Sequence, residues 1–214
     1  MGVSPDPRGA PRLGVLGGSF DPPHFGHLAA AQEVGHRLGL QQVLFVPARQ
    51  NPLKTDAPSG SAEQRVRMVE LAVEGDPRFT VSRADVDRPA PSYTVDLLTL
   101  LQAQHTDAEL YFLVGADALR DLASWRQPQE IVRRWRLATF PRAGHPAPDL
   151  DRLAASVPGL AARLELVPVP GVDISSRDLR ARVAAGDPIR YLVPDAVRRF
   201  IEREALYRPR AADG

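Results

Sequence analysis

An apolar run, Leu13-Gly14-Val15-Leu16, leads into Gly17-Gly18-Ser19-Phe20-Asp21-Pro22-Pro23-His24-Phe25-Gly26-His27, and that stretch leads into Leu28-Ala29-Ala30-Ala31-Gln32-Glu33. The first segment reads as a buried strand and the last as the body of a helix, so the stretch between them is a strand-to-helix turn. Gly17 and Gly18 allow a sharp turn and bring backbone N–H groups close to a ligand. A helix start adds unsatisfied N–H donors and a partial positive charge, which together favour a phosphate. His24 and His27 are spaced to share one helix face. Pro22 and Pro23 suit a helix entry, where a missing N–H costs little. A tight turn before an ordinary core helix accounts for the glycines, but not for two histidines at helical spacing around Gly26. The residues describe a phosphate-handling site with two imidazoles aimed into it.

A chain of 214 residues can bury one ample core, or a main domain with a small appendage. A net charge of +1 gives no basic field to recruit nucleic acid or a membrane surface, and with no cysteine there is neither disulfide nor thiolate chemistry. Residues 1–11 read as a disordered leader without a signal peptide's apolar centre, and no apolar stretch is long enough to span a membrane. These features predict a cytoplasmic enzyme acting on small molecules, with neither nucleic acid nor membrane as partner and with a homo-oligomer left open. Of the 27 basic side chains, 26 are arginine and one is lysine, Lys54. In that background Lys54 marks a place where a compact, mobile ammonium is needed, although a solvated loop lysine is the plainer reading.

Strands are predicted at 12–17, 42–47, 79–82, 110–114, 137–140 and 164–169. Helices are predicted at 24–38, 61–74, 94–104, from after Asp117 to Ala123, at 128–134, within 145–162, at 177–185 and at 195–204. Ser61 and Gln64 form a capping-box pattern, Ser92-Tyr93-Thr94 reads as a cap for the 94–104 helix, and Leu97, Leu98 and Leu101 face the core. Strands alternate with helices throughout, which predicts an α/β fold with a Rossmann-like doubly wound parallel sheet. One domain spans 12–207, including a small C-terminal helical part at about 173–207, and 208–214 is a frayed tail. Such sheets bind ligands at the carboxyl ends of their strands. The distinctive sequences fall there: Asn51-Pro52-Leu53-Lys54 in a long loop after strand two, Gly115-Ala116-Asp117 after the Leu110 strand, Pro141-Arg142-Ala143-Gly144 after the Leu137 strand. Asp117 would serve equally as a helix cap. Trp125, among polar neighbours, is a stacking platform or a core aromatic, whereas Trp135 is packing. Ser175 and Ser176 at a helix start, with Arg180 about one turn on, make a second anion cradle or simply a capped surface helix.

The 17–27 stretch resembles the HxGH signature of a nucleotidyltransferase superfamily, and its longer form GGSFDPPHxGH is similar to the bacterial nicotinate-mononucleotide adenylyltransferases. SYTVDLL at 92–98, GAD with a downstream tryptophan at 115–125, and ISSRDLR at 174–180 resemble further segments of that family in the family's order, across roughly 12–207. The resemblance implies adenylyl transfer from ATP to nicotinate mononucleotide, giving deamido-NAD and pyrophosphate, with Mg²⁺ bridging the triphosphate and no metal ligands from the protein. It assigns His24, His27 and Arg180 to catalysis. Gly17, Gly18, Ser19, Phe20, Gly115, Asp117, Arg142, Ser175 and Ser176 go to ATP, and Lys54, Ser92, Tyr93, Thr94 and Trp125 to the mononucleotide. Leu53 stands where the family usually has histidine, and Arg177 where it has threonine. A nicotinamide or dual-specificity acceptor, phosphopantetheine or a cytidylyl transfer, and a non-catalytic nucleotide sensor remain as alternatives.

Overall fold

The computed structural model describes residues 9–50, 59–141 and 148–209. Lys54, Leu53 and Arg142 lie outside the described residues, as do most of the leader and the last five residues. The apolar runs form β1 (Arg12–Gly18), β2 (Gln42–Pro47), β3 (Phe79–Val81), β4 (Glu109–Gly115), β5 (Arg136–Phe140) and β6 (Leu164–Leu166). All pair parallel in the order β3-β2-β1-β4-β5-β6. Between them run α1 (Phe25–Arg37), α2 (Ala62–Val73), α3 (Thr94–Gln104), α4 (Ala116–Leu119), α5 (Pro128–Arg134) and α6 (Leu150–Ser156), and α7 (Ser176–Ala185) and α8 (Asp195–Arg203) follow the sheet. This is the Rossmann-like arrangement expected. The central strands β1 and β4 lie side by side, so chain order reverses between them and a crevice opens beyond their carboxyl ends.

Both sheet faces are covered, which is why β2 and β4 read as nearly unbroken apolar runs. One core packs α3, α5 and α6 against the sheet around Leu98, Leu101, Phe112 and Trp135; the other packs α1 and α2 around Val34, Phe45 and Val69. A third cluster joins Met68 of α2 to Leu179, Val197, Phe200 and Ile201 of α7 and α8, which fixes the C-terminal helices to the domain. Trp135 is buried, and its indole N–H donates to Gln102 Oε1 at 3.1 Å, as a packing residue should.

Four local expectations change. Gly17 and Gly18 do not turn; they are the last residues of β1, in register with Val46 and Pro47. The turn follows them, and its left-handed residue is Phe20 at φ +48°. Tyr93, not a serine or threonine hydroxyl, occupies the N-cap of α3 and supplies no side-chain cap, because Ser92 Oγ instead accepts the N–H of Gln50 at 3.1 Å. β6 stops at Leu166: Val167 N still donates to Thr139 O, but Pro168 has no N–H to continue the ladder. The helix after β4 ends at Leu119 and resumes as a single 3₁₀ turn at Leu122–Ser124. The Ser61–Gln64 capping box is present in both directions.

One buried cation ties the first two crossovers together. Arg65 on α2 is 1% exposed, and its guanidinium donates to the carbonyls of Gly60 (3.2 Å), Ser19 (2.9 Å), Ala48 (2.6 Å) and Arg49 (3.3 Å). Burial lowers its pKa, and the Asp21 carboxylate is the first of the opposing influences that favour the charged form. Arg65→Met should therefore cost about 3 kcal/mol or more in urea unfolding, since the apolar replacement leaves those carbonyls without donors. A loss under about 1 kcal/mol would show that water replaces the guanidinium.

Candidate active site

The turn after β1 delivers His24 as the N-cap of α1 and His27 one helical turn further on. Their rings stack with centroids 3.7 Å apart, and Phe20 meets the edge of the His27 ring at 5.0 Å. His24 N donates to His27 Nδ1 at 3.3 Å, so Nδ1 is an acceptor and the neutral ring carries its proton on Nε2. Gly26 permits the stack: a Cβ there would lie 3.0 Å from His24 Nδ1 and 3.1 Å from its Cε1. His24 is buried at 4% exposure, which presents its imidazole to the cavity rather than to bulk water.

That cavity, about 490 Å³, occupies the crevice beyond β1 and β4. Its lining includes Gly17, Gly18, His24 and His27 from the signature, Gly115 and Asp117 after β4, and Ser92, Tyr93 and Thr94 at the start of α3. Trp125 and Arg126 complete the wall beside them. Asp117 is not an N-cap; Gly115 is, and the Asp117 carboxylate folds back so that a Cβ on Gly115 would sit 2.6 Å from its Oδ1. Trp125 is half-buried and meets Phe112 edge-on at 5.9 Å, so one apolar platform backs the wall. Its indole N–H is buried without a partner among the described residues.

Other expected residues stand behind the lining rather than in it. Phe20 is 2% exposed beneath His27, and the carbonyl of Ser19 is taken by Arg65. Ser175 caps α7, accepting Asp178 N at 3.1 Å, while Ser176 Oγ donates to Pro22 O at 2.8 Å. Arg180 donates to Asp21 O at 2.7 Å, with the Asp21 carboxylate 3.9 Å away. The first turns of α7 thus grip the back of the histidine turn, while Val172 and Ile174 just before them reach the cavity.

The residue that sequence reasoning passed over is Asp21 itself. Its carboxylate, 2% exposed, accepts Ser59 N (2.7 Å), Gly60 N (3.1 Å) and the hydroxyl of Tyr207 (2.7 Å). Burial and the Asp21 charge push the Tyr207 pKa up, so the phenol stays a donor. Tyr207 lies 186 residues from Asp21 and adopts a left-handed φ of +64°, a conformation costly for a bulky side chain unless its contacts hold it. Nothing in a helix-period pattern announces such a partner. On the other side, Asp85 accepts Arg49 N at 3.0 Å and pairs with Arg88, and Ser92 exchanges hydrogen bonds with Gln50. Both ends of the 48–60 connection are therefore anchored, one to Asp85 and Ser92, the other to Asp21.

No group of three or more His, Cys, Asp or Glu able to hold a metal ion occurs among the described residues. No described helix is long and apolar enough to cross a membrane. Tyr207→Phe should lower unfolding free energy by about 1–2 kcal/mol, the cost of leaving a buried carboxylate oxygen one donor short. Chemical denaturation of the variant checks it, and an unchanged midpoint would mean that the tail does not hold the turn.

The comparisons with known proteins agree with this geometry. The cytidylyltransferase-like family model matches residues 15–182. A probable nicotinate-nucleotide adenylyltransferase of Thermomicrobium roseum is 46% identical over 197 residues, covering 92% of both chains. One from a Roseiflexus species is 48% identical over 196 residues, covering 92% of this chain and 98% of the relative. Among solved structures, the Plasmodium falciparum nicotinic acid mononucleotide adenylyltransferase complexed with NaAD superposes with a TM-score of 0.74 at 18% identity, over 92% of this chain and 97% of that one, a likeness of fold. The family-model match over most of the chain, with relatives 46% and 48% identical along nearly its whole length, places this protein in the cytidylyltransferase-like nucleotidyltransferases, within the nicotinate-nucleotide adenylyltransferase family.

Proposed function

We propose that this chain transfers the adenylyl group of ATP to nicotinate mononucleotide, releasing pyrophosphate and forming deamido-NAD, in the cytoplasm. The observation that carries the reading is the juxtaposition, in one cavity, of the stacked His24–His27 pair with the Trp125 and Ser92–Thr94 wall. The first suits phosphates and the second an aromatic ring bearing a carboxylate. The attacking group is the acceptor's own phosphate, which is ionised at neutral pH, so the protein needs neither a nucleophile nor a strong base. Its task is to align that phosphate with the α-phosphorus of ATP and to stabilise charge as pyrophosphate departs. His24 and His27 face that charge. Trp125 presents a flat electron-rich face to a pyridinium cation, and the first N–H groups of α3, which no Tyr93 side-chain cap covers, suit the ring carboxylate.

Asp117, beside Gly115 at the end of β4, suits the ribose hydroxyls of ATP. Arg180, Ser175 and Ser176, gathered behind the turn, would serve the outer phosphates, and Lys54 and Arg142 the acceptor phosphate and the triphosphate from segments outside the described residues. Mg²⁺ fits this donor set as an ion carried by the triphosphate, because Asp85, Asp117 and Asp121 line the cavity but no group of three or more His, Cys, Asp or Glu able to hold a metal occurs among the described residues. When bound it offsets charge on the phosphates.

Pyrophosphate release from Mg-ATP, with nicotinate mononucleotide, nicotinamide mononucleotide and phosphopantetheine supplied separately, tests the reading. Turnover with the nicotinate form is expected. Release only with phosphopantetheine would reassign the acceptor, and no release with any of them would leave a nucleotide sensor. His24→Ala and His27→Ala should each lower kcat by about 100-fold or more, the scale of a lost charge-stabilising donor; near-normal turnover in both folded variants would remove the histidines from the chemistry. Trp125→Ala should raise KM for the mononucleotide while leaving KM for ATP in place, and an equal rise in both would refute stacking.

A further inference from the structure

We infer that Arg126 is the residue through which this chain prefers a pyridine acceptor bearing a carboxylate over one bearing a neutral amide. The inference rests on the adenylyl-transfer reading above and concerns a side chain to which that reading gives no role. Three aspartates, Asp85, Asp117 and Asp121, are among the described lining residues of the cavity, and Arg126 is the one permanently charged cation among them. Asp85 is buried and paired with Arg88, so an acceptor that carries both a phosphate and a ring carboxylate meets Asp117 and Asp121 in this lining, with the opposing charge at one place, Arg126.

That place is beside the ring-binding wall. The Arg126 guanidinium lies over the Tyr93 ring, 4.7 Å from its centroid, and one N–H reaches Asp96 Oδ2 at 3.4 Å. Tyr93 is the N-cap of α3 and Asp96 sits in its first turn, so the same helix start that offers backbone N–H groups also sets the plane and position of the guanidinium. Trp125, the adjacent residue, fixes the backbone by packing on Phe112. Guanidinium carries five N–H donors in a rigid fork, and the long Asp96 contact is the one hydrogen bond found for it among the described residues. The side chain of Arg126 in this ion pair is 50% exposed, with Asp96 at 44%, so the pair is weak and open to exchange for a better-matched carboxylate. A carboxylate can take two parallel N–H bonds from the fork, whereas an amide presents a single neutral oxygen beside an N–H₂ group that Arg126 cannot bond.

The acceptor phosphate is the other anion open to Arg126, and it is common to both pyridine nucleotides. The ratio of kcat/KM for nicotinate mononucleotide to that for nicotinamide mononucleotide separates the two. In Arg126→Gln this ratio should fall about tenfold relative to the unaltered enzyme, on the scale of one charged hydrogen bond, with the change residing in KM for the nicotinate form. Arg126→Lys should recover part of the ratio, because it restores charge without the fork. Raising salt should lower the ratio in the unaltered enzyme and leave Arg126→Gln almost insensitive. An unchanged ratio, or an equal loss for both acceptors, would overturn the inference while leaving adenylyl transfer in place. If the unaltered enzyme uses neither pyridine form, the functional reading fails first and the inference falls with it.

Discussion

The site depends on how one buried carboxylate is satisfied. Asp21 lies in the turn between β1 and α1 with almost no exposure, and an ion so placed is costly unless its lone pairs are filled. Its donors come from remote parts of the chain: main-chain N–H groups of Ser59 and Gly60, and the hydroxyl of Tyr207. Its own carbonyl takes the Arg180 guanidinium, and the neighbouring Arg65 binds the carbonyls of Ser19, Ala48, Arg49 and Gly60. The histidine turn is thus the meeting point of β1, both ends of the 48–60 connection, α2, α7 and the C-terminal segment. Catalysis by positioning requires such over-determination, because a phosphate held a fraction of an ångström out of line loses much of the advantage.

Within that frame, small residues decide what fits. Gly26 yields its side-chain volume to the His24 ring, and Gly115 yields its volume to the Asp117 carboxylate. At the same strand ends Gly17 and Gly18 keep the β1 terminus bare, where a Cβ on Gly18 would press the Phe20 ring at 3.2 Å. Phe20, held left-handed, then lies under His27. The backbone comes close to the ligand space because strand residues lack side chains there, rather than because the chain bends at a glycine.

Periodicity and local chemistry were legible in the sequence: the six strands, the Ser61–Gln64 box, the α3 core leucines and the strand-end location of the motifs. These depend on residues a few positions apart. The sequence was silent wherever a partner lay far away. Asp21 read as one letter of a motif, Arg65 as one of 26 arginines, and Tyr207 as the fringe of a tail. Ser92 read as a cap, but Gln50 of another loop claimed its hydroxyl. Arg180 and Ser176 read as a phosphate cradle, and the sequence did not show that their side chains also bond the carbonyls of Asp21 and Pro22. Propensity ranks what a residue does locally; it cannot rank a local bond against a competing one that only folding supplies.

The cavity's charge pattern bears on both proposed substrates. Arg126 is the one arginine or lysine among its described lining residues, so the cations proposed for the triphosphate, Arg180 and Arg142, would reach it from outside that lining. Imidazole donors and the counter-ion that the triphosphate carries would add to the charge compensation those cations give. Arg126 performs the complementary function for the acceptor: a single guanidinium, set against Tyr93 and loosely paired to Asp96, is felt most by the ligand that brings an additional carboxylate to that wall.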